Sequence, residues 1–357
     1  MPTAAITPGC KTSGMAHRRV NNMTTITTSM TLSIAGSGMI VEEVLRMLRD
    51  ELPDIQPRSI FAHSNVERAR QLAADYDIPQ VFTDYDLMLR DDKSDFVYVA
   101  NVNTAHYHYA LKALEAGRNV IVEKPLCMTL AEAETLVDTA RQRNLMLIEA
   151  VSLLHMPNFR ALKLSLPLLG NIRLVECDYS QRSSRLDRYL QGDVAPAFDP
   201  ACGGGALRDL NVYNINFVVA LFGEPLSAEY HSNRGSNGVD TSGILVMHYP
   251  DFQCVCSSGK DCYGAPYALI QGDSGIVRVE GPVSVLGNCS FGTRTAESSR
   301  QLHWQSIDDN RFAHRLAHEF DTFRTLFAAN DHKAFHQYQD ISLAVMRIID
   351  SVRFDCQ

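Results

Sequence analysis

Residues 31–150 alternate short apolar segments with amphipathic ones. The apolar segments "TLSIA", "SIFAH", "DFVYVA", "NVIVE" and "LMLIEA" are predicted strands, and each of the first four is followed by a stretch of helical periodicity such as "VEEVLRMLRDEL". Nearly continuous apolar strands separated by amphipathic helices predict a parallel sheet covered on both faces. Ligands bind such a sheet at the carboxyl ends of its strands.

The first predicted strand ends in "GSG", the first two glycines of the dinucleotide fingerprint G-x-G-x-x-G. The first glycine permits a tight turn, and the second lets main-chain amides approach a pyrophosphate at the helix N-terminus. Val41 replaces the third glycine and predicts a wider helix–strand contact. The predicted cofactor contacts are Gly36, Ser37, Gly38, Met39 and Ile40. A tight turn that binds no nucleotide is the alternative.

The end of the second predicted strand carries no acid to hold the ribose 2′-hydroxyl of NAD. It carries His63, Ser64 and Asn65 instead, with Arg68 one helical turn further on. These donors suit a 2′-phosphate better than a free diol. NADP(H) is therefore the favoured cofactor and NAD(H) the alternative, while a solvated Arg68 is the other interpretation of that residue.

The strand "NVIVE" is followed by Lys124 and Pro125. Because proline keeps the preceding residue out of the α region, Lys124 is predicted to be extended and to project its ammonium into the crevice beyond the strand. A surface lysine at a strand end is the alternative.

A run of three glycines, residues 203–205, precedes Asp209 and Tyr213. The acid and the phenol are four residues apart, so on a helix they point in the same direction. No strand leads into the glycines, and we interpret them as letting the chain pass close to a substrate.

Four elements resemble the glucose-fructose oxidoreductase / inositol dehydrogenase (Gfo/Idh/MocA) family: the glycine turn, "EKP", "GGGALRDLNVY" and "AHEFDTF". They occur in family order and spacing between about residue 31 and residue 357. The resemblance implies an α/β fold, with an N-terminal Rossmann domain over residues 31–150. Over residues 151–357 it implies a C-terminal substrate and oligomerisation domain, an open and mostly antiparallel sheet whose face covers the nicotinamide.

The resemblance also implies site residues. Lys124 is the catalytic lysine, Asp209 the motif aspartate, and Tyr213 stands where most members have histidine. A tyrosine there is similar to the branch with glucose-fructose oxidoreductase and dimeric dihydrodiol dehydrogenase, which use NADP. Further implied cofactor contacts are Asn101, Asn103, Glu123 and Lys124, and candidate substrate contacts are His106, Arg182, Arg185 and Asn211.

Two further departures from the family pattern concern the site. Asn101-Val102 stands where members usually have Thr-Pro, and Asn211 replaces the glycine of a D-x-G signature. The first lies in the loop that contacts the cofactor, so it bears on how the nicotinamide is placed.

The second half begins with the polar, Pro/Gly-broken segment "RLDRYLQGDVAPAFDP", a predicted loop over the cleft. Its arginines are candidates to meet a hydroxylated or anionic substrate, with a solvated arginine face as the alternative. Alternating strands then predict an antiparallel sheet, and the final helices are predicted to pack against that sheet's domain. His314 and His318 do not follow the order H-E-x-x-H, and no metal site is predicted.

Composition narrows the class of protein. A hydrophobic fraction of 45% indicates a globular chain, and the net charge of −8, with no basic run interleaved with aromatics, disfavours a nucleic-acid partner. No apolar stretch approaches the roughly 18 residues that span a bilayer. The nine cysteines form no CxxC pair, which favours reduced thiols and a cytoplasmic location. Residues 1–30, rich in Thr and Ser and free of acids, are predicted to be a disordered tail or an over-called start.

These residues predict an NAD(P)-dependent oxidoreductase that transfers a hydride between nicotinamide and a CH–OH or C=O group of a sugar, cyclitol or similar small compound. Tyr213 is predicted to move the hydroxyl proton, with its pKa lowered by Lys124, while Asp209 orients the lysine. An NAD-retaining glycosidase that acts by transient oxidation and elimination, and a non-catalytic nucleotide sensor, are the alternatives. An open sheet with one apolar face needs a cover, which predicts a homodimer or homotetramer.

Overall fold

The computed structural model describes residues 29–295 and 301–352, and the predicted N-terminal tail lies almost wholly outside them. The first of two sheets consists of β1 (Met30–Ala35), β2 (Ile55–Phe61), β3 (Gln80–Phe82), β4 (Phe96–Val99), β5 (Asn119–Glu123) and β6 (Leu147–Ala150). All paired strands are parallel, in the order β3-β2-β1-β4-β5-β6. The order reverses between β1 and β4, which opens a ligand crevice at their carboxyl ends.

Helices cover both faces of this sheet. They are α1 (Met39–Glu51), α2 (Val66–Asp75), α3 (Tyr85–Asp91), α4 (His106–Glu115) and α5 (Leu130–Gln142). The predicted Rossmann domain is confirmed, with one addition. The strand β3 and the helix α3 were not predicted, because three strand residues and seven helical ones are too short to establish a period.

The second sheet has eight strands in the order β14-β13-β12-β11-β7-β10-β9-β8. They are β7 (Ile172–Ser180), β8 (Ser227–Arg234), β9 (Asp240–His248), β10 (Gln253–Gly259), β11 (Tyr267–Gly272), β12 (Gly275–Glu280), β13 (Asn288–Arg294) and β14 (Leu302–Ile307). The strands β7 and β10 pair in parallel, and the other neighbours pair antiparallel. The open, mostly antiparallel sheet is therefore confirmed.

Helices cover one face of the second sheet, and within residues 29–295 and 301–352 no helix covers the other. The remaining helices are α6 (Pro157–Ser165), α7 (Leu186–Leu190), α8 (Val212–Phe222), α9 (Arg315–Ala328) and α10 (His332–Ser351). Buried side chains of α6, α8 and α10 share a core with one face of the sheet. On the opposite face Ile244 is 47% exposed and Trp304 is 46% exposed.

The two C-terminal helices pack only partly as predicted. Phe320 and Phe323 of α9, and Phe335 of α10, are buried in one core with β1 and α1 of the first domain. Further along α10, Ile348 and Ile349 lie in the core of the second domain. The expectation that the final helices pack against the second domain therefore holds only for the later turns of α10, because an apolar stripe shows that a helix is covered and not which sheet covers it.

Within residues 29–295 and 301–352, every helix is too short or too polar to cross a membrane.

Candidate active site

The side chain of Lys124 lies where β5 ends, in the crevice between the two domains. The Lys124–Pro125 peptide bond is cis. The Lys124 ammonium donates to the main-chain oxygen of Asp209 at 2.8 Å and to its Oδ1 at 2.9 Å. The lysine side chain is 15% exposed, so its charge is largely removed from water and held toward the second domain.

Asp209 lies between two lysines. It belongs to a π-helical turn (Leu207–Asn211) that runs directly into α8. Its Oδ2 accepts from the ammonium of Lys260 at 2.6 Å, while its Oδ1 accepts from Lys124. One carboxylate therefore joins a lysine of the first domain to a lysine of the second.

Sequence reasoning missed Lys260. This lysine follows the last residue of β10, Gly259, as Lys124 follows the last residue of β5. Its side chain is only 3% exposed, and its ammonium also donates to the main-chain oxygen of Ala197 at 2.7 Å. A lysine directly after an apolar strand was the available signal, but its partner lies 51 residues away in sequence.

The three charges shift one another's pKa. Burial acts to raise the pKa of the Asp209 carboxyl, but the two ammonium groups outweigh it and hold that pKa well below its usual range. Burial acts to lower the pKa of Lys124, yet Asp209 and Tyr213 raise it above its ordinary value. For Lys260, burial prevails over Asp209 and lowers the pKa. With both amines protonated, the cluster of Lys124, Asp209 and Lys260 carries one net positive charge.

Tyr213 completes the site from the first turns of α8. The Lys124 ammonium lies 5.1 Å from the centroid of its ring, and the centroid of the Tyr179 ring lies 5.8 Å from it. Lys124 therefore contacts both Asp209 and Tyr213, as their helical spacing predicted. Among the described residues no side chain or main-chain group hydrogen-bonds the Tyr213 hydroxyl, which leaves it for a ligand.

The pKa of Tyr213 differs from the prediction. Burial of the phenol raises its pKa above the ordinary value, and the positive charges of Lys124 and Arg315 only partly oppose this effect. Arg315, also missed from the sequence, begins α9 and donates to Glu43 Oε1 and to Ser152 Oγ, each at 3.3 Å. Two cations thus favour the phenolate, while desolvation disfavours it.

The three glycines before the site pack closely against their neighbours. A Cβ on Gly203 would lie 2.6 Å from the sulfur of Met128, and one on Gly204 would lie 2.6 Å from the main-chain oxygen of Pro196. Gly205 has a φ of +123° and would clash with Asp240. All three glycines therefore lie where the chain passes close to its own neighbours, and their approach to a substrate stays a prediction.

The glycine turn after β1 forms a cradle that fits a dinucleotide. Gly36 has a φ of +136°, and a Cβ there would clash with the Ala100 carbonyl. Gly38 caps α1 without a side-chain hydrogen bond and has open space where a Cβ would project. At the end of β4, the buried Nδ2 of Asn101 has no partner among the described residues. Free amides at a helix N-terminus and an unpartnered donor suit a pyrophosphate and a nicotinamide amide.

The predicted adenosine end of this cradle lies beside the turn. Ser37 Oγ donates to the main-chain oxygen of Asn65 at 3.4 Å, so the loops after β1 and β2 are neighbours. His63 and Ser64 are exposed there. Arg68, however, is not a free phosphate ligand, because it forms an ion pair with Glu42.

Three predicted contacts are buried inside the protein and are corrected here. His106 is fully buried, with its ring nitrogens 2.8 Å and 3.1 Å from the main-chain oxygens of Pro125 and Asn101. Asn211 is fully buried and donates to the main-chain oxygen of Cys256 at 3.0 Å. The Glu123 carboxylate accepts from the Tyr98 hydroxyl at 2.6 Å. These side chains support the loops of the site and do not face its ligands.

The other predicted residues remain near the crevice. Asn103 donates to the main-chain oxygen of Gly203 at 2.9 Å and joins the two domains. Arg185 donates to the sulfur of Met39, the first residue of α1, at 2.9 Å. Arg182 is paired with Asp187 at 2.6 Å and is half-buried.

The two C-terminal histidines have structural partners. His314 caps α9 through Nδ1, which accepts from the main-chain N–H of Leu316 at 3.3 Å. The Nε2 atom of His318 accepts from the main-chain N–H of Phe312 at 3.3 Å.

The first domain supplies a glycine turn at the reversal point of a parallel sheet and a lysine at a strand end, and the second domain supplies an acid and a phenol that meet this lysine. These features define a two-domain oxidoreductase of the Rossmann type. The protein families that match this chain agree with that class. Residues 30–151 match the oxidoreductase family with an NAD-binding Rossmann fold, and residues 168–278 match the GFO/IDH/MocA C-terminal domain. The chain belongs to the Gfo/Idh/MocA family of oxidoreductases.

Curated relatives cover most of this chain. It is 31% identical to the uncharacterized oxidoreductase YgjR of Escherichia coli over 83% of its own length and 87% of that protein's. It is 32% identical to the scyllo-inositol 2-dehydrogenase (NADP(+)) IolU of Bacillus subtilis, over 70% of this chain and 75% of that one.

Solved structures agree with the fold. The 3-ketoreductase KijD10 of Actinomadura kijaniata, in complex with NADP and TDP-benzene, superposes with a TM-score of 0.77 at 21% identity, over 91% of this chain and 97% of that chain. A levoglucosan dehydrogenase in complex with NADH and levoglucosan gives a TM-score of 0.75 at 16% identity, over the same shares of the two chains.

Proposed function

We propose that the chain catalyses the reversible oxidation of a secondary alcohol in a sugar, cyclitol or similar small polyhydroxylated compound. The observation that carries the proposal is the contact of one ammonium, Lys124, with both Asp209 and the ring of Tyr213 at the carboxyl end of β5. When bound, the nicotinamide cofactor supplies the site that gains or loses the hydride. The relatives IolU and KijD10 are named as enzymes of this kind of chemistry.

In this proposal the side chains handle the proton. As the phenolate, Tyr213 takes the hydroxyl proton of the alcohol during oxidation, and as the phenol it returns that proton during reduction, since its hydroxyl is left for a ligand. The Lys124 ammonium stabilises the phenolate that forms, and Asp209 holds the ammonium in place through Oδ1 and the main-chain oxygen. The buried position of Tyr213 excludes water from the transfer.

We further propose NADP(H) as the preferred cofactor. The loop after β2 offers the exposed donors His63 and Ser64 and has no carboxylate at residues 62–66 to hold a 2′-hydroxyl. NAD(H) is the alternative cofactor, and a comparison of the two binding affinities distinguishes them.

The first test is direct. We expect NADPH fluorescence titration to give a Kd about ten-fold or more below that of NADH, because the loop carries no acid to repel a 2′-phosphate. With the preferred cofactor, inositols, aldoses and ketosugars are screened for turnover, and deuterium from labelled cofactor is followed into the product.

The same screen also tests the two alternative functions, a cofactor-retaining glycosidase and a nucleotide sensor. An enzyme that retains its cofactor and cleaves a glycosidic bond converts substrate without net change in reduced nicotinamide. A sensor binds cofactor and transfers no deuterium to any compound. Either result contradicts the proposal.

Replacing Tyr213 with phenylalanine should slow turnover about 10²-fold, because the proton donor is removed while the ring that packs on Lys124 remains. We expect KM and the Kd for the cofactor to stay near the wild-type values. The matched control is Tyr179→Phe, which removes a hydroxyl from the neighbouring ring. Unchanged turnover in the Tyr213 variant would show that another group moves the proton.

We also propose that the chain is a homodimer or homotetramer in the cytoplasm. The open face of the second sheet presents Ile244 and Trp304 to solvent, and a second copy is the proposed cover. The seven cysteines among the described residues are all free thiols, which agrees with a reducing compartment.

A further inference from the structure

Lys260 is built into the second domain as a buried cation. Its main-chain N–H donates to the oxygen of Thr241, and its own main-chain oxygen accepts from the N–H of Ser183, each at 2.8 Å. Its ammonium contacts the oxygen of Ala197, Oδ2 of Asp209 and, at 4.9 Å, the ring of Phe198. Two hydrogen-bond acceptors and one aromatic ring thus surround the ammonium and hold the charge in place.

One carboxylate, that of Asp209, pairs with two ammonium groups, so the charges do not cancel. A single lysine and a single aspartate would form a neutral pair beside Tyr213. Here Asp209 divides its two oxygens between Lys124 and Lys260, so the cluster retains one net positive charge at the phenol. Desolvated charges at such distances act strongly on a neighbouring ionisation.

We propose that Lys260 is a positioning residue of the proposed reaction: by sharing Asp209 with Lys124, it leaves the Lys124 ammonium free to stabilise negative charge on Tyr213. This inference rests on the proposed function. Lys260 itself acts through Asp209 and contacts neither Lys124 nor Tyr213 in the structure.

The Lys260→Met variant leaves every other charged residue around Lys124 and Asp209 in place. The titratable groups that face the cluster from the surrounding elements include Glu123 of β5, His106 of α4, Glu149 of β6, Tyr179 of β7, Asp240 of β9 and Arg315 of α9, with Glu43 of α1 behind Arg315. None of them is altered when Lys260 is replaced, so a change in pH dependence reports the lost ammonium.

The kinetic test compares Lys260→Met with the wild type in the direction of alcohol oxidation. We expect the rise of kcat with pH to move upward by about one pH unit or more, and kcat at neutral pH to fall about ten-fold, because Asp209 then pairs with Lys124 alone and offsets its charge at the phenolate. Lys260→Arg, which keeps the charge, should restore the wild-type pH profile. A fall in rate or thermal stability with an unmoved pH profile would overturn the proposal, because Lys260 would then only brace the segment at Ala197.

The matched control is Lys163→Met. Lys163 also donates to a main-chain oxygen, that of Ala220, at 2.7 Å, but it has no carboxylate partner among the described residues. We expect this variant to keep the wild-type pH profile.

A second measurement needs no substrate and separates this inference from the proposed function. Lys124 is labelled with acetic anhydride at mildly alkaline pH, and its modification is read by mass spectrometry against the exposed Lys112. In Lys260→Met, Asp209 interacts with Lys124 alone, so a larger share of Lys124 is protonated and its labelling should slow several-fold. Equal or faster labelling would overturn the inference, whether or not any alcohol is oxidised.

Discussion

Replacing Lys124 with methionine is expected to slow turnover about 10³-fold, since both the stabilising charge at Tyr213 and the link to Asp209 are lost. Methionine keeps most of the side-chain volume. Asp209 stays paired with Lys260 in this variant, so the second domain retains its ion pair at 2.6 Å. We therefore expect thermal stability close to that of the wild type.

Cofactor binding should persist in the Lys124 variant. The proposed cradle at Gly36, Gly38 and Asn101 has no hydrogen bond to Lys124, so the Kd measured by NADPH fluorescence should change less than about three-fold. Lys112→Met is the control, because that lysine pairs with Asp86 on the surface. Turnover within ten-fold of the wild type would remove Lys124 from the chemistry, while loss of both binding and turnover would assign it to cofactor binding.

Replacing Asp209 with asparagine is expected to affect folding and catalysis together. The variant keeps the shape of the side chain but leaves two ammonium groups, one of them almost fully buried, without their carboxylate. Removing one partner of such a pair costs about 3 kcal/mol of unfolding free energy. Turnover should fall about 10²-fold, because Lys124 is no longer held at Tyr213.

The stability effect has a defined pH dependence. Because the folded protein holds the pKa of Asp209 below its unfolded value, the stabilisation is present above that value and is lost as the pH falls. The difference in unfolding free energy between wild type and Asp209→Asn should therefore be largest at neutral pH and should shrink below about pH 4. Urea denaturation at several pH values measures it, and a difference that stays constant into acid would contradict the ion-pair explanation.

A double variant identifies the source of the loss. Asp209→Asn combined with Lys260→Met removes the more buried of the two unpaired ammonium groups, so part of the lost stability should return. Asp187→Asn is the surface control, since Asp187 pairs with Arg182 in solvent. If the double variant is less stable than Asp209→Asn, the buried charge is not what destabilises the single variant.

The site shows where reasoning from one sequence stops. Lys124 and Tyr213 were predicted because each stands in a local pattern, a strand end before proline and a helical turn after glycines. Lys260 and Arg315 stand in no such pattern. Their roles depend on partners far away in the chain, as in the pairing of Lys260 with Asp209. A local sequence pattern cannot indicate such a partner.

The same reason explains the corrected residues. A histidine at a helix start and an asparagine beside a motif aspartate are polar groups whose side chains could face either a ligand or the protein. The tertiary structure buries both side chains: one ring nitrogen of His106 can donate to a main-chain carbonyl oxygen, and Asn211 donates to the main-chain oxygen of Cys256 and accepts from Asn214 Nδ2 at 2.9 Å. Only the packing of the neighbouring loops could decide this.

The resemblance to the family grouped Lys124 with Asp209 and Tyr213. By itself the sequence determined the alternation of strands and helices, the glycine turn, the extended Lys124 at a strand end and the spacing of Asp209 and Tyr213 by one helical turn. Those features depend on periods of two and 3.6 residues and on the backbone preferences of glycine and proline, which are local. The tertiary structure alone decided that α9 covers the first domain, that three glycines lie close to neighbouring segments, and that Asp209 joins two lysines. Each of these depends on contacts between segments far apart in the chain, some within the second domain, as between Lys260 and Asp209, and some between the two domains, as between Lys124 and Asp209.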